Sequence, residues 1–334
     1  MKAVPAALLG VMMLAPPCLA QAPPALPEVD RVRMAEASRL ADALGNRVWP
    51  DWDKAPFAIL LVTPEYEFLM RHPRPSEDFT AIPETTASKP KVWFRKRQFS
   101  PNLLATFPAV GGVSTIVIGQ AENTAAKTST PWVITLLHEH FHQLQNAQPG
   151  YYAGVDSLGL ARGDQTGTWM LNYAFPYAKP EVRDQFSVMS KALAEALQAK
   201  PPADFSRKLA SYVEARKAFR SLLSADDYKY FAFQSWQEGI ARYTEYRIAL
   251  LAAAEYQPSQ EFQGLKDYAP FKKEAPAILE RIEKELASVE LDKAKRTAFY
   301  ALGAGEALVL DRANPGWRTR YFEDKFSLDE HFAR

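Results

Sequence analysis

Two histidines four residues apart, His138 and His142, enclose Glu139 in the stretch Thr130-Pro131-Trp132-Val133-Ile134-Thr135-Leu136-Leu137-His138-Glu139-His140-Phe141-His142-Gln143-Leu144-Gln145. The spacing satisfies His-Glu-x-x-His, in which two imidazoles hold a zinc ion and the glutamate serves as base. On a helix the two rings stand one turn apart and lean the same way. Two ligands of one ion at about 2.0 to 2.1 Å need that arrangement.

The surrounding residues predict the helix. Thr130 suits an N-cap, and Pro131 suits the first helical position, where an N–H would have no intrahelical partner. At about 100° per residue, Val133, Ile134, Leu136, Leu137, Phe141 and Leu144 fall on one wide arc. Thr135, His138, Glu139, His142, Gln145 and Asn146 fall on the other. His140 projects about 200° from His138, inside the apolar arc, and reads as packed or hydrogen-bonded structure.

The chain has 334 residues, 47% of them hydrophobic and 12% aromatic, ample for a sizeable core. Forty basic residues against thirty-nine acidic ones give a net charge of +1, which offers nothing to nucleic acid. Residues 1–20 read as a secretory signal: Lys2, an apolar run from Ala6 to Leu14, and Cys18-Leu19-Ala20 before cleavage near Ala20. That run is too short to span a bilayer, so an exported protein without stable membrane insertion is expected. Cys18 is the only cysteine, so a metal site in the mature chain must use His, Asp and Glu.

Residues 21–27 form a Pro/Ala-rich spacer. An amphipathic helix is predicted from Glu28 to Val48, ending near Gly45. Strands are predicted at Phe57 to Val62, Tyr66 to Met70, Val92 to Phe94, Leu103 to Phe107 and Ser114 to Ile118. Residues 71–91 read as a surface excursion, and Tyr151 to Pro176 as a long loop. Helices follow at 180–199, 204–223, 226–255, 273–289 and 291–311. The fold class is therefore α+β, with a mixed part at 28–150 and a helical part at 151–334.

A small, mostly antiparallel sheet feeding a His-Glu-x-x-His helix resembles the catalytic half of the zincin metallopeptidases. The resemblance implies a sheet edge beside the zinc to which an extended peptide adds as a strand. Gln120-Ala121-Glu122-Asn123 is similar to a Gly-Ala-Met-Glu-Asn motif of the aminopeptidase branch, but lies too close to the helix and reads as a loop.

Two histidines need a third protein ligand. Glu238 in Glu238-Gly239-Ile240-Ala241 shares a polar strip with Gln234, Ser235, Arg242 and Glu245. The segment resembles the Glu-Gly-Phe-Ala of gluzincins, and the resemblance assigns Glu238 as ligand. The departure is spacing: residues 143–237 intervene, far more than in those families. Glu245, Asp164 and Asp156 stay open as alternatives. Arg242 and Glu245 would orient ligands, and the bland reading of Glu238 with Arg242 is an i, i+4 surface pair. Tyr173, Tyr243, Tyr246 and Tyr300 are candidates for steadying an oxyanion.

The expectation is a Zn²⁺-dependent hydrolase, a gluzincin-like peptidase acting on peptides or proteins with Glu139 as general base. Its rivals are an exported zincin-fold binding or scaffold protein without hydrolytic activity, and a metal-free helical interaction protein.

Overall fold

The structure is a computed structural model that describes residues 24–83 and 91–332. The predicted signal at 1–20 and the start of the spacer lie outside the described residues, as do residues 84–90 of the predicted excursion.

Helix α1 (Glu28–Val48) leads into a six-stranded sheet of order β3-β4-β2-β1-β6-β5. The strands are β1 (Ile59–Val62), β2 (Tyr66–Met70), β3 (Thr80–Ala81), β4 (Val92–Lys96), β5 (Leu104–Val110) and β6 (Val113–Gly119). All neighbours pair antiparallel except β1 with β6, which run parallel. Central β1 is Ile-Leu-Leu-Val, apolar on both faces as a strand covered on both sides must be. Its period of two sends Ile59 and Leu61 into the main core and Leu60 and Val62 into a smaller one with Leu69, Phe79 and Val117. β5 is an outer strand and carries Pro108, a residue that central strands exclude.

Helix α2 (Ser129–Asn146) follows β6 and crosses the main-core face of the sheet. The helical half comprises α3 (Tyr151–Ser157), α4 (Trp169–Asn172), α5 (Pro180–Gln198), α6 (Pro202–Ser221), α7 (Ala225–Gln234), α8 (Ile240–Glu255), α9 (Gln260–Gln263), α10 (Glu274–Ser288), α11 (Leu291–Ala294), α12 (Ala298–Ala313), α13 (Trp317–Arg320) and α14 (Asp329–Phe332). Among the described residues no helix is long and apolar enough to cross a membrane.

Several expectations are corrected. The helix predicted over 226–255 is broken by a π-helical turn, Ser235–Gly239. The helix predicted over 291–311 is broken at Lys295, whose φ of 50° takes it out of helical space. The loop at 151–176 contains α3 and α4. The motif helix begins at Ser129 rather than after a Thr130 cap. Its first turn is tied by distant residues instead: Ser129 N–H and Oγ donate to Asp267, and the Thr130 hydroxyl donates to the Ala269 carbonyl at 2.7 Å. A carboxylate at a helix N-terminus offsets the positive end of the dipole, so Asp267 does the work assigned to Thr130.

An aromatic block backs the motif helix. Trp49 lies 5.0 Å from Phe141, and Trp236 stacks on Tyr321 at 4.7 Å between ring centroids. All four rings are fully buried. Truncating one of them to Ala costs about 3 to 5 kcal/mol.

Candidate metal centre

Nearly the whole circumference of α2 is buried, including His138, Glu139, His140, His142, Gln143 and Gln145. Buried polar atoms need partners, so each of these side chains has to be accounted for. His140 stacks on Phe57 at 3.9 Å and meets Gln143 Oε1 through Nδ1 at 2.9 Å. Burial pushes its pKa down to about 3, so it stays neutral, as the packed role expected of it requires. Gln143 donates to the carbonyls of Ala58 and Ser114, tying α2 to the sheet.

The other two rings are held from behind. His138 Nδ1 is 2.7 Å from Glu245 Oε1, and His142 Nδ1 is 2.7 Å from Gln145 Oε1. Gln145 is oriented in turn, because its Nε2 donates to the Gln237 carbonyl at 3.1 Å and to the Tyr321 hydroxyl at 2.7 Å. Both Nδ1 atoms face acceptors and so carry hydrogens, which turns both Nε2 atoms toward one point and presents their lone pairs there when the rings are neutral. Metal-ligating imidazoles are held in this way.

The two Nε2 atoms are 3.2 Å apart. Glu238 Oε2 lies 3.7 Å from the first and 3.5 Å from the second. Ligands about 2.0 to 2.1 Å from a tetrahedral ion sit about 3.3 Å from one another, so the three separations match the edges of such a site. Glu139 belongs to the same cluster: His138, Glu139 and His142 offer ligand atoms all within 4.8 Å of one another and could hold a metal ion. The Thr106 hydroxyl, on β5, donates to Glu139 Oε2 at 2.7 Å and leaves Oε1 uncommitted.

Electrostatics follow from the crowding. Burial alone would push His138 down, but its hydrogen bonds to Glu238 and Glu245, with the charges of Glu245 and Glu139, raise it to about 10. Burial would raise Glu238, yet the facing imidazoles hold it well below the usual carboxylate range. Glu245, opposed by burial but bonded to His138 and flanked by Arg242 and Arg281, is lowered to about 2. The pocket thus favours positive charge at the point where the rings converge.

Glu238 reaches that point from the π-helical turn, whose extra residue re-aims side chains relative to a regular helix. Gly239 and Gly303 let α12 press against this turn. Tyr300, one turn before Gly303, hydrogen-bonds Glu238, and burial together with the Glu238 charge raises its phenol far above the usual range. Arg296 Nη1 donates to the Tyr300 hydroxyl and lies 3.9 Å from Glu238 Oε1.

The other candidates disperse. Asp164 caps its own turn, accepting from Thr166 and from Trp169 N–H, and Asp156 is exposed on α3. Glu245 holds the back of His138 rather than the converging side. Arg242 pairs with Glu285 at 3.1 Å instead of Glu238. Tyr243 donates to Asp311 and Tyr173 to Asp227, away from the cluster. Gln120 and Glu122 join a network with Asp30 and Arg33. Thr106 and Arg296 carry no motif that a sequence reading would select; Gln145 stood on the polar arc without a role. Comparison with family models, curated proteins and solved structures returned no match.

Proposed function

We propose that the chain is a zinc-dependent hydrolase of the zincin type acting on peptides, with His138, His142 and Glu238 as ligands of Zn²⁺ and Glu139 as general base. One observation carries this reading: two Nε2 atoms and Glu238 Oε2 converge at 3.2 to 3.7 Å, with both Nδ1 hydrogens engaged elsewhere. The convergence calls for positive charge among these atoms, which a proton on His138 supplies in the free site and a metal ion supplies when bound. When bound, the ion supplies Lewis-acid polarisation of a carbonyl and of a water molecule.

The residues divide the remaining work. Glu139 takes a proton from that water on Oε1, the oxygen Thr106 leaves uncommitted, and delivers it to the departing amine. Tyr300, whose hydroxyl hydrogen is released from Glu238 once that carboxylate serves the ion, donates toward the carbonyl oxygen as negative charge develops there. Glu245 and Gln145 hold the two rings in the ligating tautomer. Beside them β5 is an outer strand to which an extended peptide adds. Export with cleavage near Ala20 belongs to the same reading and is tested by N-terminal sequencing of the secreted chain.

A second reading, a zincin-fold binding or scaffold protein that keeps its metal without hydrolysis, draws on the burial of Glu139, only 5% exposed. Metal analysis and a broad peptide panel separate the two. About one zinc per chain with cleavage that Glu139→Gln abolishes supports the hydrolase. Zinc without cleavage leaves the scaffold, and failure to take up zinc overturns both.

A further inference from the structure

Among the arginines around the cluster, Arg296 is set apart by its partners. Arg242 is paired with Glu285 and Arg281 with Glu245. Arg296 has only the Tyr300 hydroxyl and, at 3.9 Å, Glu238; its Nε and Nη2 donate to no described residue. Its side chain is 26% exposed, so the guanidinium is only partly covered beside the cluster. Once Glu238 serves an ion, Arg296 is a cation without a counterion of its own.

The backbone beside it supports a built position. Lys295 holds φ at 50°, a region that a lysine occupies at a cost, and this kink separates α11 from the turn that carries Arg296. A regular helix through 291–311 would point residue 296 elsewhere. Strain of this kind persists where surrounding structure requires it. A guanidinium with a free fork next to a metal ligand fits a planar anion, because two parallel N–H donors match the two oxygens of a carboxylate.

We infer that Arg296 binds a carboxylate of the substrate, so that the centre selects peptides whose free C-terminal carboxylate lies next to the bond being cut. The inference rests on the hydrolase reading and names its substrate class. A carboxylate one residue beyond the scissile carbonyl sits a few ångströms from it, within reach of a guanidinium that already touches the ligand shell.

The test uses the zinc-loaded full-length protein and two small acids, 2-benzylsuccinate with two carboxylates and 3-phenylpropanoate with one. Calorimetry should find the diacid bound about tenfold tighter or more. Arg296→Met should erase that preference at unchanged zinc content and helical signal, while Arg296→Lys should keep part of it. Free-acid peptides should likewise be cut in preference to their C-terminal amides. A diacid preference that survives Arg296→Met, or none in the zinc-loaded wild type, overturns the inference and leaves the metal assignment standing. A wild-type chain that takes up no zinc removes both, and the zinc measurement tells the two failures apart.

Discussion

Gly239 and Gly303 touch backbone to backbone: a Cβ on Gly239 would come within 2.5 Å of the Gly303 Cα, and one on Gly303 within 2.3 Å of the Ser235 carbonyl oxygen. Both obstacles are main chain, which cannot swing aside. The contact seats α12 against the π-helical turn and so fixes where Glu238 points. Gly303→Ala is therefore expected to cost about 1 to 3 kcal/mol in unfolding and to lower zinc retained per folded chain. Gly305→Ala is the control, because its Cβ would meet only the flexible ends of Leu193 and Leu286, at 2.9 Å each. It should lose stability and keep its metal. Equal zinc loss in both variants would sink the proposed link between the glycine contact and Glu238.

The two glutamates near the imidazoles should separate cleanly. Glu139→Gln is expected to retain zinc and lose about 10²- to 10⁴-fold in turnover, the range for removing a general base. Glu238→Gln should lose zinc first and activity as a consequence. Metal stoichiometry after dialysis, read beside initial rates, decides between these roles. If Glu139→Gln loses the metal instead, the ligand and base assignments are exchanged.

The groups behind the rings make a distinct forecast. Glu245→Ala and Gln145→Ala each remove the acceptor that fixes one imidazole, and loss of such a partner costs about 10- to 100-fold in metal affinity. Gln145→Ala also leaves the Gln237 carbonyl and the Tyr321 hydroxyl without the donor they share, so it should unfold more easily as well. Competition against a fluorescent chelator measures the first effect, and a denaturation midpoint the second. Unchanged affinity in both variants would mean that the rings are oriented by packing alone.

What could be read beforehand follows from how local each signal is. His138, Glu139 and His142 lie within one turn and a half of helix, so spacing was enough to bring them forward. Glu238 stands out through a polar strip and a resemblance, since nothing near residue 142 announces a carboxylate so far along the chain. Five strands are legible because runs such as β1, β2 and β6 alternate or saturate with apolar residues, and only their ends shift; two-residue β3, Thr80–Ala81, lies inside the stretch read as a surface excursion and is too short and polar to show a pattern. The π turn is hidden because no local residue pattern marks it, and the Gly303 that packs against it belongs to another helix. The Thr130 cap differs from expectation for a similar reason: the partner of the first turn, Asp267, comes from the loop before α10. Thr106 and Arg296 gave no sign at all, as a single threonine on a strand and a single arginine on a turn have no pattern to recognise.

Acidity should loosen the sheet edge that holds Thr106. His72, 4% exposed, has Nε2 at 3.1 Å from the Val110 carbonyl and Nδ1 at 3.1 Å from the Arg74 N–H. An N–H already points at Nδ1, so the ring fits only as the neutral form with its hydrogen on Nε2. Burial, assisted by the Arg74 charge, outweighs the Val110 bond and places its pKa below the usual 6.5. A histidine whose folded pKa is depressed contributes stability in full above the unfolded value, and that contribution is lost as pH falls through the folded one. The imidazole clamps the segment after β2 onto the β5–β6 turn, where a Cβ on Gly111 would already approach the Arg74 carbonyl within 2.8 Å. Protonation would set two donors against each other at that clamp and free the end of β5. Urea midpoints measured from pH 7.5 down to 5 should therefore fall more steeply for the wild type than for His72→Gln, which can still donate to Val110 but does not titrate. Parallel slopes would show that the clamp holds whatever the charge on the ring.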